Sequence, residues 1–458
     1  MSRPVFLSGS TMKHVLVMTS ASAVGLLCMF AVDVFDIYFI ALLGDQRLVA
    51  AVGFAGSLQF FLLSLGIGLQ IALGALVARA EGGGDRPRAS RLCSSVLAFN
   101  AVTSVVVSVL AVWQLPTLLA LLGAEGETQE FAIRYAQIVL PSIPILVLGM
   151  SMSAGMRAVG DARRSMYATL AAALTNGVLD PIFIFGFGWG IEGAAWASVA
   201  SRFVVLAYGA YVLITIHRLP APASVTNTVE DIPVILSIGL PAVLTNLATP
   251  LGSSVVLRIM SEFGDGAVAA ASILARIVPL AFAAVFSVSG AVGPIVGQNA
   301  GARRYDRVRQ TLLDASIFIL VYVLCVWVIL NLALNGVVSM FATSPVAEDL
   351  IRFYVRFLVG FFALNGLLFV ANASFNNLGR AYFATFFNYA KVLLGIIPCA
   401  YLGAQWMGAR GAMIGEGIGM AIFGIAGMLT ALALVARLQR DYPPLDDPDA
   451  GAGLQQSA

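Results

Sequence analysis

The chain is expected to be an all-α integral membrane protein whose twelve transmembrane helices form two pseudo-symmetric six-helix lobes. Three observations predict this fold. Only 11% of its 458 residues are charged and 59% are hydrophobic, whereas soluble globular proteins average about a quarter charged. Apolar runs of roughly 20 residues or more, the length a helix needs to cross a bilayer, occupy nearly the whole chain. The second half also repeats features of the first at an offset of 219 to 220 residues.

The first-half runs fall at 12–43, 49–78, 92–122, 131–159, 165–187 and 191–217. The first is too long, and wrongly flanked, to be a cleaved signal peptide. The second follows Gly44-Asp45 and ends in a basic loop around Gly82-Gly83, the fourth ends before Gly160, and the sixth opens on Trp189-Gly190. The second-half runs fall at 231–260, 267–297, 311–341, 350–376, 381–403 and 410–437. Between the halves, the stretch 218–230 contains Pro220 and Pro222 and reads as the linker of lobes 1–217 and 231–440. The tail 441–458, with Pro443, Pro444, Asp446, Asp447 and Asp449, has nothing to bury and is expected to be disordered.

The repeat is carried by small residues in register. Gly44-Asp45 recurs as Gly264-Asp265, Gly82-Gly83 as Gly301-Ala302, Gly160 as Gly379, and Trp189-Gly190 as Met407-Gly408. Six crossings per unit bring both copies in from the same side, so the lobes should be related by an axis along the membrane normal, which suits rocking about a central cavity. Basic residues crowd the N-terminus, the even-to-odd loops and the C-terminal end, while Glu125, Glu127, Glu130, Glu348 and Asp349 mark the opposite loops. The positive-inside rule therefore places both termini in the cytoplasm.

Several function classes are excluded by the same features. A net charge of +2 without a basic stripe does not suggest a nucleic-acid partner. Short connections leave no room for an extramembrane catalytic domain, and no G-x-x-x-x-G-K-[S/T] loop offers nucleotide coupling. Cys28, Cys93, Cys325 and Cys399 lie singly in apolar runs and read as buried hydrophobes, with no catalytic residue or resident cofactor implied.

Polar residues inside the spans carry the functional signal, since charge in a bilayer is retained where it faces a cavity, a partner or a transported ion. Asp33 and Asp36 can share a face of the first helix, as can Asn176 and Asp180 on the fifth. If those faces meet, the carboxylates, the amide and hydroxyls such as Thr175 and Ser198 form a pocket for a proton or a desolvated hard cation. Plainer readings stay open: Asp33 at the rim of a tilted helix, Asp180 marking a distortion before Pro181, Asn176 as an interhelical donor. Glu192, Arg202 and Arg258 lie near span ends or can snorkel, and Asp314 reads as interfacial. Arg276 and Lys391 fall near mid-span, with Glu416 a candidate partner for Lys391.

At this point the sequence resembles the multidrug and toxic compound extrusion (MATE) transporters over residues 12–437. Val32 to Gly44, VDVFDIYFIALLG, is similar to the family's first-helix signature, with Asp36 as its aspartate. Arg157 to Arg202 resembles the fourth-to-sixth-helix region, and 291–304, AVGPIVGQNAGARR, its C-lobe counterpart. By position, Asp36, Asn176, Asp180 and Ser198 correspond to the N-lobe cation site of the DinF-like prokaryotic branch, Ser198 replacing a threonine, and Tyr135 corresponds to a tyrosine near that site. The resemblance implies a V-shaped antiporter that expels organic cations or amphipathic compounds in exchange for protons or sodium. Protons are preferred here, with Na+ at Asp36, Asn176 and Asp180 as the alternative.

Two departures qualify the match. No proline lies between Met12 and Leu43 to bend the first helix, although Gly25 could permit bending, and neither run 231–260 nor run 350–376 has the mid-span carboxylate of the NorM-like branch. The expected partners are small amphipathic or cationic substrates and membrane lipids. The expected functional unit is a monomer in a bacterial or archaeal cell membrane. Rival readings are a lipid-linked precursor flippase and a non-transport receptor or scaffold.

Overall fold

The computed structural model describes residues 4–222, 224–341 and 344–443. Nearly all of the expected disordered tail therefore lies outside the described residues. The first half builds α1 (Thr11–Ala41), α2 (Gln46–Gly82), α3 (Arg86–Trp113), α4 (Leu115–Leu121), α5 (Gly126–Val139), α6 (Ile143–Ala158), α7 (Ala162–Pro181) and α8 (Gly190–Ala210). The second half builds α9 (Val225–Ser261), α10 (Asp265–Ala281), α11 (Ala283–Gly301), α12 (Tyr305–Leu332), α13 (Leu334–Phe341), α14 (Pro345–Phe353), α15 (Phe361–Asn377), α16 (Tyr382–Ala390) and α17 (Ile397–Asp441). π-helical turns continue α7, α8, α14 and α16 at Ile182–Gly186, Tyr211–Ile216, Tyr354–Leu358 and Lys391–Ile396.

Among the described residues, nine helical stretches are long and apolar enough to cross a membrane. The number reaches 11 if Asp265–Ala281 with Ala283–Gly301, bent by 48°, and Pro345–Leu358 with Phe361–Asn377, bent by 62°, each count as one span. The fold is thus all-α and multi-pass. One of the nine, Tyr382–Asp441, covers both the expected runs 381–403 and 410–437. Its helical geometry fails at Met407 (φ −132°) and Gly408 (φ 62°). Gly403 then meets Gly411, Cys399 meets Gly415, and Gly395 meets Gly419, so the two parts run antiparallel on a seam without side chains.

Loop acids and hydroxyls supply the acceptors that helix N-termini need. Asp45, Asp85 and Asp161 accept from the backbone N–H of Arg47, Arg88 and Arg164 at 2.9, 3.0 and 3.1 Å. Ser224 caps α9 in the same way, so the expected linker 218–230 already becomes helical at Val225. The repeat is visible in the backbone as well: Gly44 and Gly264 have φ of 79° and 88°, Gly160 and Gly379 92° and 73°, and Gly190 and Gly408 55° and 62°. Only glycine takes this left-handed region without strain.

The halves meet closely at the end of the bundle that carries both termini. There Gly82 of α2 packs on the Gln298 carbonyl of α11, Gly297 on Ala78, and Arg79 Nε donates to the Asn377 carbonyl at 3.2 Å. Halfway along, Gly68 packs on the α9 backbone at Val243. A turn at Val5–Leu7 seals the join, with Phe6 buried among Val15 and Met18 of one half and Val288, Val292 and Ile295 of the other. Thr11 adds a 2.5 Å hydrogen bond to Asp314, which is 5% exposed near the terminal end of α12. Toward the opposite, distal end, Gly53 and Gly56 of α2 face open space, and the halves diverge as a V.

Candidate functional site

Helix α1 packs on α7, α7 on α8, and α8 on α5, which brings four sequence-separated segments together in the first half. Asn176 sits at their centre, 2% exposed, one turn before Asp180, which is fully buried. The orientation of its amide follows from its neighbours: Nδ2 donates to Asp36 Oδ1 at 2.8 Å and to Asp180 Oδ2 at 3.2 Å, and Oδ1 accepts from the Ser198 backbone N–H at 3.3 Å. Two carboxylates from different helices therefore share one donor. The other Asp180 oxygen, Oδ1, is buried without any hydrogen-bond partner among the described residues. Such an atom is costly to leave unsatisfied and calls for a partner.

Pro181 closes α7 directly after Asp180, and the backbone then widens into the π turn Ile182–Gly186. The distortion anticipated from Asp180-Pro181 and the acidic pocket therefore coexist. Tyr135 of α5 is buried beside Ser198 and Arg202, completing the side of the pocket away from α1. Two expected members make no hydrogen bond to the cluster among the described residues. Asp33 is exposed, one turn along α1, and contributes no hydrogen bond to the cluster. The Thr175 hydroxyl donates to the Ala171 carbonyl of its own helix at 2.8 Å.

Arg202 departs from its expected snorkelling position. It is 5% exposed and donates to the Val139 carbonyl at 2.8 Å, Ser142 Oγ at 2.7 Å and Gln59 Oε1 at 2.8 Å. This cation is fixed by neutral oxygens and lies beside Tyr135. In the second half, Lys391 is buried and donates to Asn365 Oδ1 at 3.1 Å, and Asn388 donates to Asn372 at 3.1 Å one turn away. Glu416, the candidate partner, lies near enough for its charge to act on Lys391, while the ammonium's hydrogen bond goes to the Asn365 amide. Among the described residues, no group of three or more His, Cys, Asp or Glu is placed to hold a metal ion.

The MatE family model matches the chain twice, at 21–182 and 241–402, each boundary of the second match lying 220 residues beyond the first. The FAD transporter of Shewanella oneidensis is 28% identical over 89% of this chain and 92% of its own length. The multidrug export protein MepA of Staphylococcus aureus is 24% identical over 92% and 94%. Among solved structures, a mutant of the Vibrio cholerae MATE transporter VcmN superposes with a TM-score of 0.88 at 24% identity, over 93% of this chain and 97% of that one. A MOP superfamily transporter from Pyrococcus furiosus gives 0.89 at 24% identity, over 96% and 99%.

Proposed function

Because this chain belongs to the MatE family and is a secondary active transporter, not an enzyme, we propose that it exports organic cations and other amphipathic compounds in exchange for protons bound between Asp36 and Asp180. The observation that carries the coupling assignment is the single Asn176 nitrogen shared by two carboxylates, with Asp180 Oδ1 left unpartnered. A proton on the pair satisfies that oxygen and removes a buried charge. Sodium is the weaker reading, because a pair of carboxylates can take up a proton without the full shell of oxygens that a desolvated cation requires.

On this reading the molecule has twelve crossings, counting the break at Met407-Gly408 as a turn, in a lobe of 1–217 and a lobe of 231–440. Both termini lie in the cytoplasm, and the V opens outward. The residues Asp36, Asn176, Asp180, Ser198 and Tyr135 support a DinF-like reading of the chain, in which a monomer would contain the whole pathway. Proton binding from outside changes the packing of α1 on α7 and shifts the population toward release of cargo. Return to the inward-facing state frees the proton. The names of its relatives cover both multidrug export and FAD transport, so cargo chemistry is the open half of the assignment.

The test is ethidium transport in proteoliposomes under separately imposed proton and sodium gradients. Wild type should respond to the proton gradient, and Asp36→Asn and Asp180→Asn should each abolish the response. Transport driven by sodium alone would overturn the proton assignment, and unchanged coupling in both variants would remove the aspartates from the mechanism.

A further inference from the structure

Arg276 belongs to no hydrogen bond or ion pair among the described residues, although it lies about 16 Å, at 1.5 Å per residue, from the distal end of its helix at Asp265. An exposed guanidinium at that depth is too costly to face lipid, so it faces water or cargo. Its surroundings give the direction. The buried face of α10 is Ala267, Ala270 and Leu274, packed on α9 and α14, whereas Ser272, Ala275 and Arg276 are exposed together. Their repeat counterparts on α2, 219 residues earlier, are Gly53, Gly56 and Ser57, also exposed, and the two glycines face open space. The exposed stripe of each arm is small and hydroxylic toward the distal end and turns apolar at Phe60 and Leu280, and we take these equivalent stripes as the facing walls of the cleft.

The charges on those walls are opposite. The first half offers Asp33 on α1 and Ser57 on α2, while the second half offers Ser253 on α9 and Arg276 on α10 at the corresponding places. We propose that Arg276 is a cargo-binding residue that takes a carboxylate or phosphate group, so that the transported compounds include aromatic anions and zwitterions as well as cations. The guanidinium is the side chain best shaped for such groups, offering paired donors in a fixed plane. This rests on the cleft being the transport path of the antiporter described above.

The test compares carboxyfluorescein, an aromatic anion, with ethidium, an aromatic cation, in proteoliposomes containing wild type or Arg276→Gln under a proton gradient. Wild type should move both dyes. The variant should lose about tenfold or more of its carboxyfluorescein rate, the cost of a lost charge-assisted contact, while its ethidium rate stays within about twofold of wild type and thereby reports a folded, coupled protein. An unchanged carboxyfluorescein rate in the variant, or a wild type that moves only ethidium, would overturn the inference and leave the antiporter intact. An equal loss for both dyes would also overturn it, because Arg276 would then serve closure of the halves and not recognition. A wild type that moves neither dye under any gradient would defeat the transport reading itself.

Discussion

Gly301 rests its bare α-carbon on the Arg79 carbonyl of α2, and Gly82 rests in the same way on the Gln298 carbonyl of α11. The two contacts are repeat-related and join the halves at the terminal end. A Cβ at either position would overlap backbone, which cannot rotate aside as a side chain can, so α2 and α11 would have to separate. Gly301→Val is expected to disfavour this closed terminal end by about 1–3 kcal/mol, the usual range for overpacking. Spin labels on the distal ends of α2 and α9 should then report a population with a shorter separation than in wild type. An unchanged distance distribution would show that the glycines do not gate the join.

Phe6 locks the same join from the N-terminus. Its N–H donates to Gln298 Oε1 at 3.1 Å, its carbonyl accepts from Asn299 Nδ2 at 3.2 Å and Arg307 Nη2 at 3.0 Å, and its ring is 1% exposed. Removing a buried phenyl ring costs about 3–5 kcal/mol in a packed core, and here that cost falls on one conformation of the halves. Phe6→Ala should speed amide exchange in Val5–Leu7 and in Ala283–Gly301 while leaving α3 unaffected. Equal protection in both proteins would mean that the turn merely covers a join secured elsewhere.

The repeat, the spans and the acidic residues were legible because each depends on local sequence. Glycines marked turns that need positive φ, and a carboxylate in an apolar run marks itself. The partner sets were not legible. Arg202 looks like a snorkelling cation until α2, α5 and the turn before α6 supply Gln59, Val139 and Ser142 from 60 to 143 residues away. Spacing alone lets Asp33 and Asp36 share a face of α1; the first-helix signature singles out Asp36, and the packing of α7 on α1 shows what it meets. The bend before α11 follows Pro279, whereas nothing in the sequence announces the one before α15, where the π turn Tyr354–Leu358 ends.

Asp161, in the loop before α7, gives a pH dependence independent of transport. Burial raises its carboxyl, but bonding to His217 Nε2 at 2.9 Å and to the Arg164 guanidinium and backbone N–H at 2.6 and 3.1 Å outweighs that and holds it down at about 2. A carboxyl depressed below its ordinary value of 3.8 stabilises the fold above that pH and loses the contribution as pH falls toward 2. Asp161→Asn should therefore melt lower than wild type at about pH 7, with the gap narrowing between about pH 4 and 2.5. A gap independent of pH would assign the effect to the helix cap alone.

Asn176 offers the sharpest separation of coupling from folding. Its amide donates to both Asp36 and Asp180, and hydrogen bonds to charged groups contribute about 1.5–3 kcal/mol each. Asn176→Ala leaves both carboxylates without that donor, so each gains more from binding a proton and releases it less readily to the cytoplasm. Proton-driven ethidium transport should fall by about tenfold or more, while ethidium binding in detergent, read by fluorescence anisotropy, should change little because the cleft wall is intact. Loss of binding together with transport would place Asn176 in cargo recognition, and retention of both would show that the carboxylates couple without a shared donor.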